Sequence, residues 1–197
     1  NKPPEFYFEK GKFILDLPIN LLIFCDSEDF EFFTTYRRSL GFEKKTQILV
    51  KSVREFILWN SLEKVQKNRE NNPIYGKHNR NTPTYAILTA SKFEMLMIGM
   101  DKNFFQSEYF AWIDLGLVYC VGNFPNQLLE ALSKIKIKAS FEMIEYLHEG
   151  LVRNNSEYYK NGGMRSVAAG FFTGRKDYLY LVCQEGLKIF QETVDQG

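Results

Sequence analysis

The sequence has little of the chemistry on which most zinc enzymes and covalent hydrolases depend. Its 197 residues include two histidines and three cysteines. The cysteines lie far apart, so no Cys-x-x-Cys pair is available for a zinc site. His78 and His148 have no neighbours that suggest a Ser–His–Asp or Cys–His group. A Gly-x-Ser-x-Gly elbow is also absent, which argues against an α/β-hydrolase.

The chain also lacks a charge excess and long apolar runs. Lysine and arginine number 25 against 24 acidic residues, which predicts no nucleic-acid partner. No run of 18 apolar residues occurs, so no transmembrane segment is predicted. The start at Asn1 has neither an initiator Met nor the apolar stretch of a signal peptide. With scattered cysteines, this favours a cytoplasmic protein, with a membrane-peripheral position as the alternative.

Apolar patterning predicts alternating strands and helices along one domain, residues 1–197. This alternation predicts an α/β fold with a mostly parallel sheet and helices on both faces. The predicted strands are 21–26, 46–50, 110–114 and a half-exposed 135–138. The predicted helices run from 27 to Gly41, over 52–69, over a buried 84–102, from 124 and over 175–193. The segment 141–151 is helical or irregular, and 70–83, 103–107 and 158–163 are loops or turns.

Asp114 breaks the apolar pattern at the end of a predicted strand, in the stretch Phe-Ala-Trp-Ile-Asp-Leu-Gly. In open α/β sheets, ligands bind beyond the carboxyl ends of the strands. A lone carboxylate at that position could hold a metal ion or a sugar hydroxyl. The alternative is that Asp114 caps a turn or the next helix, which is a common role for aspartate.

Lys92 interrupts an apolar helical stripe that also contains Tyr85, Leu88, Leu96 and Gly99. A lysine in such a stripe is unusual. It either reaches the helix rim or pairs with an acid, or it is a cation aimed at a ligand phosphate or at Asp114.

Gly170 and Gly174 flank two phenylalanines and a threonine just before the last predicted helix. Glycines at such a position allow a ligand to approach the backbone closely, and helix N-termini suit phosphate or sugar oxygens. The spacing matches neither a Walker A loop nor a Rossmann fingerprint. A tight strand-to-helix turn is therefore the favoured interpretation of this segment.

Two further acids follow or flank apolar runs. Asp26 either caps the helix after its strand or contacts a nucleobase or ribose. Asp195 lies near the end of the sequence and could point into the cleft as an acid or base if the natural chain continues. Arg37 and Arg38 are interpreted as solvated, although either could reach a diphosphate from a helix at the cleft rim.

Several of these stretches together resemble the HtrL/YibB-like proteins, which are regarded as glycosyltransferases of bacterial surface polysaccharide synthesis. The matching stretches are residues 22–26, 91–92, 103–116 and 169–174, and Phe-x-Trp-Ile-Asp-x-Gly is the most specific of them. The resemblance implies a GT-A-like fold that binds a nucleotide-sugar, a UDP-sugar foremost. It also implies a glycan or protein acceptor, and a chain that is incomplete at both ends.

The resemblance further implies roles for individual residues. Asp114 would hold Mn²⁺ or Mg²⁺ on the donor diphosphate, and Lys92 would act beside it on the phosphate side. Asp195 would match the acidic stretch that follows. The donor and its sugar would contact the residues Asp26, Trp112, Gly116, Gly170, Phe171 and Gly174.

One departure from the usual GT-A pattern bears on these roles. The usual motif is Asp-x-Asp, and Gly116 stands where the second aspartate would be. The expected function is metal-assisted glycosyl transfer. The alternative is a non-catalytic nucleotide- or glycan-binding module with a degenerate metal site.

Overall fold

The computed structural model of the chain describes residues 4–71, 82–117, 125–133, 139–143 and 167–196. The predicted strand at 135–138, the loop at 158–163, most of the loop at 70–83 and both histidines lie outside the described residues. The described helices are α1 Pro4–Leu15, α2 Phe30–Ser39, α3 Leu62–Glu70, α4 Pro83–Ala90, α5 Lys92–Lys102, α6 Pro125–Ser133 and α7 Lys176–Gln196. The described strands are β1 Leu21–Cys25, β2 Thr46–Val50, β3 Tyr109–Ile113, β4 Ala139–Met143 and β5 Val167–Arg175.

The first strands, β1 and β2, confirm the sequence prediction. They pair in parallel, with Leu21 opposite Thr46 and Cys25 opposite Val50. The crossover between them is α2, which ends just before Gly41 at a φ of +76°, a conformation that favours glycine. Ahead of β1, α1 was not predicted, and it buries Phe13 and Ile14.

Two predicted helices are interrupted in the structure, which corrects the prediction. The segment 52–69 begins with two short 3₁₀ turns, because Phe56 between them is extended, and the α-helix starts only at Leu62. The segment 84–102 is divided at Ser91, whose side chain donates to the carbonyl of Ile87 at 2.8 Å. Such a bond competes with regular helix propagation. The first of the two pieces, α4, exposes Tyr85 and Leu88, so it is not buried all round.

The second sheet corrects the expectation of a mostly parallel arrangement. Its strand order is β3-β5-β4, and both pairings are antiparallel. Among the described strands there is thus one parallel pair and two antiparallel pairs. The sequence prediction missed this because it interpreted the glycines of 167–175 as a turn, whereas Gly170 and Gly174 both lie within β5. The segment 141–151, interpreted as helical or irregular, likewise begins as the strand β4.

The last helix, α7, contributes residues to two apolar clusters of the described core. Leu179 and Cys183 pack with Leu96 and Met100 of α5. Farther along α7, Val194 packs in a cluster with α3 and α4 residues. The prediction of a helix over 175–193 is confirmed, with three more residues at its C-terminal end. Within the part of the chain that the structure describes, no helix has both the length and the apolarity to cross a membrane.

Candidate functional site

A cavity of about 550 Å³ reaches from β1 to β3 and is bordered by α5. It is lined by residues 21–24 of β1 and by every residue of β3. Because successive side chains of a strand point to opposite faces, a cavity that touches each of them runs along the edge of the strand. Among the described strands, β1 pairs with β2 alone and β3 with β5 alone, so both facing edges are open. The volume suits a small-molecule site.

Asp114, directly after β3, and Lys92, the first residue of α5, carry the charge in this cavity. The Lys92 Nζ donates to Asp114 Oδ2 at 2.8 Å, and the Trp112 Nε1 donates to Asp114 Oδ1 at 2.7 Å. Trp112 and Asp114 are two residues apart and therefore point to the same side of the strand. Both carboxylate oxygens are engaged by N–H groups, and this holds the side chain in one orientation.

The ion pair between Lys92 and Asp114 agrees with two of the predicted alternatives, a lysine paired with an acid and a cation aimed at Asp114. Lys92 pairs with Asp114 and does not reach the helix rim, since 13% of its side chain is exposed against 35% for Asp114. Its ammonium also lies 5.8 Å from the centroid of the Trp112 ring, within the range of a cation–π contact. The turn after Asp114 closes through its backbone carbonyl, which accepts from the N–H of Leu117 at 2.9 Å. Among the described residues, the carboxylate oxygens of Asp114 accept from the side chains of Lys92 and Trp112 and do not cap this turn.

Gly170 lies beside the Asp114 carboxylate on the neighbouring strand. Its carbonyl accepts from the Asp114 N–H at 2.8 Å. A Cβ at this position would stand 3.7 Å from Asp114 Oδ2 and 3.3 Å from Leu117 Cδ1. The glycine, which lies within a strand, thus adds no side-chain atoms beside the carboxylate. The predicted close approach of a ligand to its backbone stays a prediction.

Three other residues predicted to contact the donor or its sugar do not line the cavity. Phe171 packs with Phe13 and Ile14 in an apolar cluster. Gly174 is buried opposite Phe110 in the strand pair. Gly116 lies in the turn after β3 and does not line the cavity.

The two remaining predicted acids are not brought to the cavity. Asp26 follows β1, is exposed, and makes no side-chain cap bond. Asp195 accepts from Lys64 Nζ at 2.7 Å, and this hydrogen bond lowers the pKa of its carboxyl. Gly186 of the same helix touches Phe93, the neighbour of Lys92. Asp195 is nine residues farther along, or about 13 Å of helix axis. The catalytic role implied for Asp195 stays a prediction of the resemblance.

A divalent metal ion does not fit the described side chains in this arrangement. Within the described ranges, no group of three or more His, Cys, Asp or Glu residues could hold a metal ion. Asp114 is the one carboxylate among the described residues that line the cavity, and the Lys92 ammonium is bonded to it at 2.8 Å. The Mn²⁺ or Mg²⁺ implied by the resemblance stays a prediction.

The sequence analysis missed several polar residues that line the cavity. Thr173 Oγ1 donates to the Phe110 carbonyl at 2.8 Å, inside the β3–β5 pair. Asn103, at a φ of +37°, accepts from the Ser107 N–H at 2.8 Å and shapes the turn that was predicted before β3. Asn at the end of a helix, in the left-handed region, is a recognisable signal that could have identified this turn.

Comparison with known proteins gives one family assignment. A family model described as "Bacterial protein of unknown function (HtrL_YibB)" matches residues 1–179. No curated protein and no solved structure matches the chain. The match includes β1, β3, Lys92, Asp114 and the glycine segment, on which the resemblance was based. The resemblance to this family is therefore confirmed. The chain belongs to the HtrL/YibB family of bacterial proteins, whose function is unknown.

Proposed function

We propose that this chain is a glycosyltransferase that binds a nucleotide-sugar, a UDP-sugar foremost, and moves the sugar to a glycan or protein acceptor. The observation that carries the proposal is the Lys92–Asp114–Trp112 group at the carboxyl end of β3, inside a cavity of about 550 Å³. A cytoplasmic position, or one at a membrane surface, belongs to the same proposal.

The composition of the cavity supports a ligand that is part apolar and part polar. Most of the lining is aliphatic or aromatic, with Phe104, Phe105 and Trp112 among the aromatic residues. Small-molecule sites commonly combine such a lining with a few placed polar groups. Lys92 supplies donors and Asp114 supplies acceptors, while the apolar lining excludes water from the ligand.

The proposal also includes a GT-A-like fold. Such a fold would place β1 and β3 around one donor site. Two features support it: both strands line the same cavity, and β3 ends in the acidic residue. The antiparallel β5 places Gly170 against that acid.

One observation favours a second candidate, a non-catalytic nucleotide- or glycan-binding module. Asp114 is the one acid in the described part of the cavity lining, it is ion-paired, and Gly116 stands where a second carboxylate would be. The described lining therefore offers no separate carboxylate to activate an acceptor hydroxyl. Such a site can bind a ligand without transferring it.

A fluorescence titration tests the proposal and separates the two candidates. The chain has two tryptophans, so the Trp59→Phe variant leaves Trp112, which touches Asp114, as the reporter. We expect a saturable change with at least one UDP-sugar from a panel measured in EDTA and in Mn²⁺. We also expect the wild-type chain to turn over its donor. Asp114→Asn should abolish this turnover, and Glu185→Gln, which removes an exposed ion pair, should preserve it. Binding without turnover indicates the module. If no member of the panel binds, the proposed UDP-sugar transferase and a module that binds UDP-sugars are both rejected.

A further inference from the structure

We infer that the Lys92–Asp114 pair binds hydroxyl groups of the donor's sugar, and that it is not a metal–diphosphate site. The inference rests on the proposed function, and it assigns the pair to one part of the nucleotide-sugar. Three observations carry it: the charge of the lining, the hydrogen-bonding groups of the pair, and the space around the carboxylate.

The described lining of the cavity has no net charge. Lys92 and Asp114 are its charged members, and they neutralise each other at 2.8 Å. A diphosphate needs uncompensated positive charge, such as an arginine clamp or a metal ion. A neutral ion pair offers little of it, because the carboxylate repels the same phosphate that the ammonium attracts. A sugar is uncharged and meets no such repulsion.

The pair offers the complementary groups that a hydroxyl needs. A hydroxyl both donates and accepts, and a carboxylate with two oxygens has about four acceptor positions. Trp112 and Lys92 each donate to one oxygen, so each oxygen retains acceptor capacity. The Asp114 side chain is 35% exposed and can be reached from the cavity. Hydrogen bonds to a charged acceptor are the strong ones, and the fixed orientation makes them directional.

The space around the pair suits a sugar ring, because the Asp114 carboxylate borders a cavity of about 550 Å³. Trp112 lines the same cavity and donates to that carboxylate. An aromatic residue beside a carboxylate provides apolar contact for C–H groups, while the carboxylate provides acceptors for hydroxyls. A metal-bound diphosphate makes no use of the aromatic residue.

The experiment compares UDP with UDP-sugars in the wild-type chain, in Asp114→Asn and in the double variant Lys92→Met/Asp114→Asn. Affinities are measured by titration calorimetry, once in EDTA and once in Mn²⁺. The double variant removes both charges together, so it does not leave the Lys92 ammonium without the carboxylate, as Asp114→Asn does. Glu185→Gln/Lys188→Met is the matched control, because that ion pair lies on the exposed face of α7. Circular dichroism confirms that each variant is folded.

We expect wild type to bind its UDP-sugar more tightly than UDP, with or without Mn²⁺. Asp114→Asn should remove this preference, a loss of about tenfold or more for the UDP-sugar, while its affinity for UDP stays unchanged. If Asp114→Asn instead lowers the affinity for UDP itself, and if binding in the wild-type chain requires Mn²⁺ and in the variant does not, the inference is overturned while the proposed function stands. If neither UDP nor any UDP-sugar binds wild type, the proposed function fails, and the inference fails with it.

Discussion

The guanidinium of Arg37 donates from Nη1 to the carbonyl oxygen of Leu15 at 2.6 Å, in the interior of the protein. The same nitrogen donates to the Leu17 carbonyl at 2.8 Å, and Nη2 donates to the Ile19 carbonyl at 2.9 Å. Arg37 belongs to α2, and its hydrogen bonds therefore hold the connection between α1 and β1 against that helix. Because β1 forms one side of the cavity, this buried side chain fixes the position of a cavity wall.

Replacing Arg37 by lysine should destabilise the fold strongly. A lysine has no planar fork and cannot reach three carbonyls and the Thr46 hydroxyl together. Each buried carbonyl that loses its donor costs about 1–3 kcal/mol, so we expect a loss of about 3 kcal/mol or more. Urea unfolding measures it. The neighbouring Arg38→Lys is the control, since Arg38 is exposed and should change stability by less than about 0.5 kcal/mol. An equal loss of unfolding free energy in both variants would contradict the structural role given to Arg37.

Arg37 also shows what local sequence patterns cannot predict. Arg37 and Arg38 are identical in type and adjacent, and the sequence analysis interpreted both as solvated. The structure buries Arg37, because its partners are carbonyls of a connection 18 to 22 residues away. Those carbonyls are invisible in the sequence, since every residue has one.

Lys92 and Asp114 could be predicted because each is a local exception. A lysine in an apolar stripe and an acid at the end of an apolar strand stand out without knowledge of the fold. By contrast, β5 pairs with residues some 60 positions earlier, and its two glycines look locally like a turn. At Gly170 a Cβ would stand 3.3 Å from Leu117 Cδ1, and this close packing depends on the pairing itself.

Gly186, in the middle of α7, should not tolerate alanine. Alanine is normally favoured over glycine in a helix by about 1 kcal/mol. Here a Cβ would lie 2.7 to 2.9 Å from three ring atoms of Phe93, so the ring or the helix must move. Overpacking costs about 1–3 kcal/mol and should outweigh the helix propensity, giving a net loss. Thermal unfolding checks this, with the exposed Glu185→Ala next to it as the control.

The Gly186 variant also probes the candidate site. Phe93 follows Lys92, so a displaced ring should disturb the Lys92–Asp114 pair as well as stability. We expect the Trp112 emission of a Gly186→Ala/Trp59→Phe chain to differ from that of Trp59→Phe alone. Unchanged emission together with unchanged stability would show that the helices separate without cost at this contact.

Glu94 should make stability depend on pH, because the residue is 7% exposed and burial raises the pKa of its carboxyl. The bond from the Ile57 N–H at 2.7 Å opposes this shift without cancelling it. A carboxyl whose pKa is raised on folding binds more protons in the folded state. Its favourable contribution is complete below the unfolded pKa of about 4.3. It is lost as the pH rises through the folded pKa.

Glu94→Gln removes this dependence, because glutamine can accept the Ile57 bond without carrying a charge. The melting temperature of the variant should therefore exceed that of wild type at pH 8. The difference should narrow as the pH is lowered towards 4, where the wild-type carboxyl is itself protonated. Thermal unfolding of both chains across this range measures the difference, and the exposed Glu185→Gln should show no such trend. Parallel curves for wild type and Glu94→Gln would mean that Glu94 titrates alike in the folded and unfolded states, against the burial seen here.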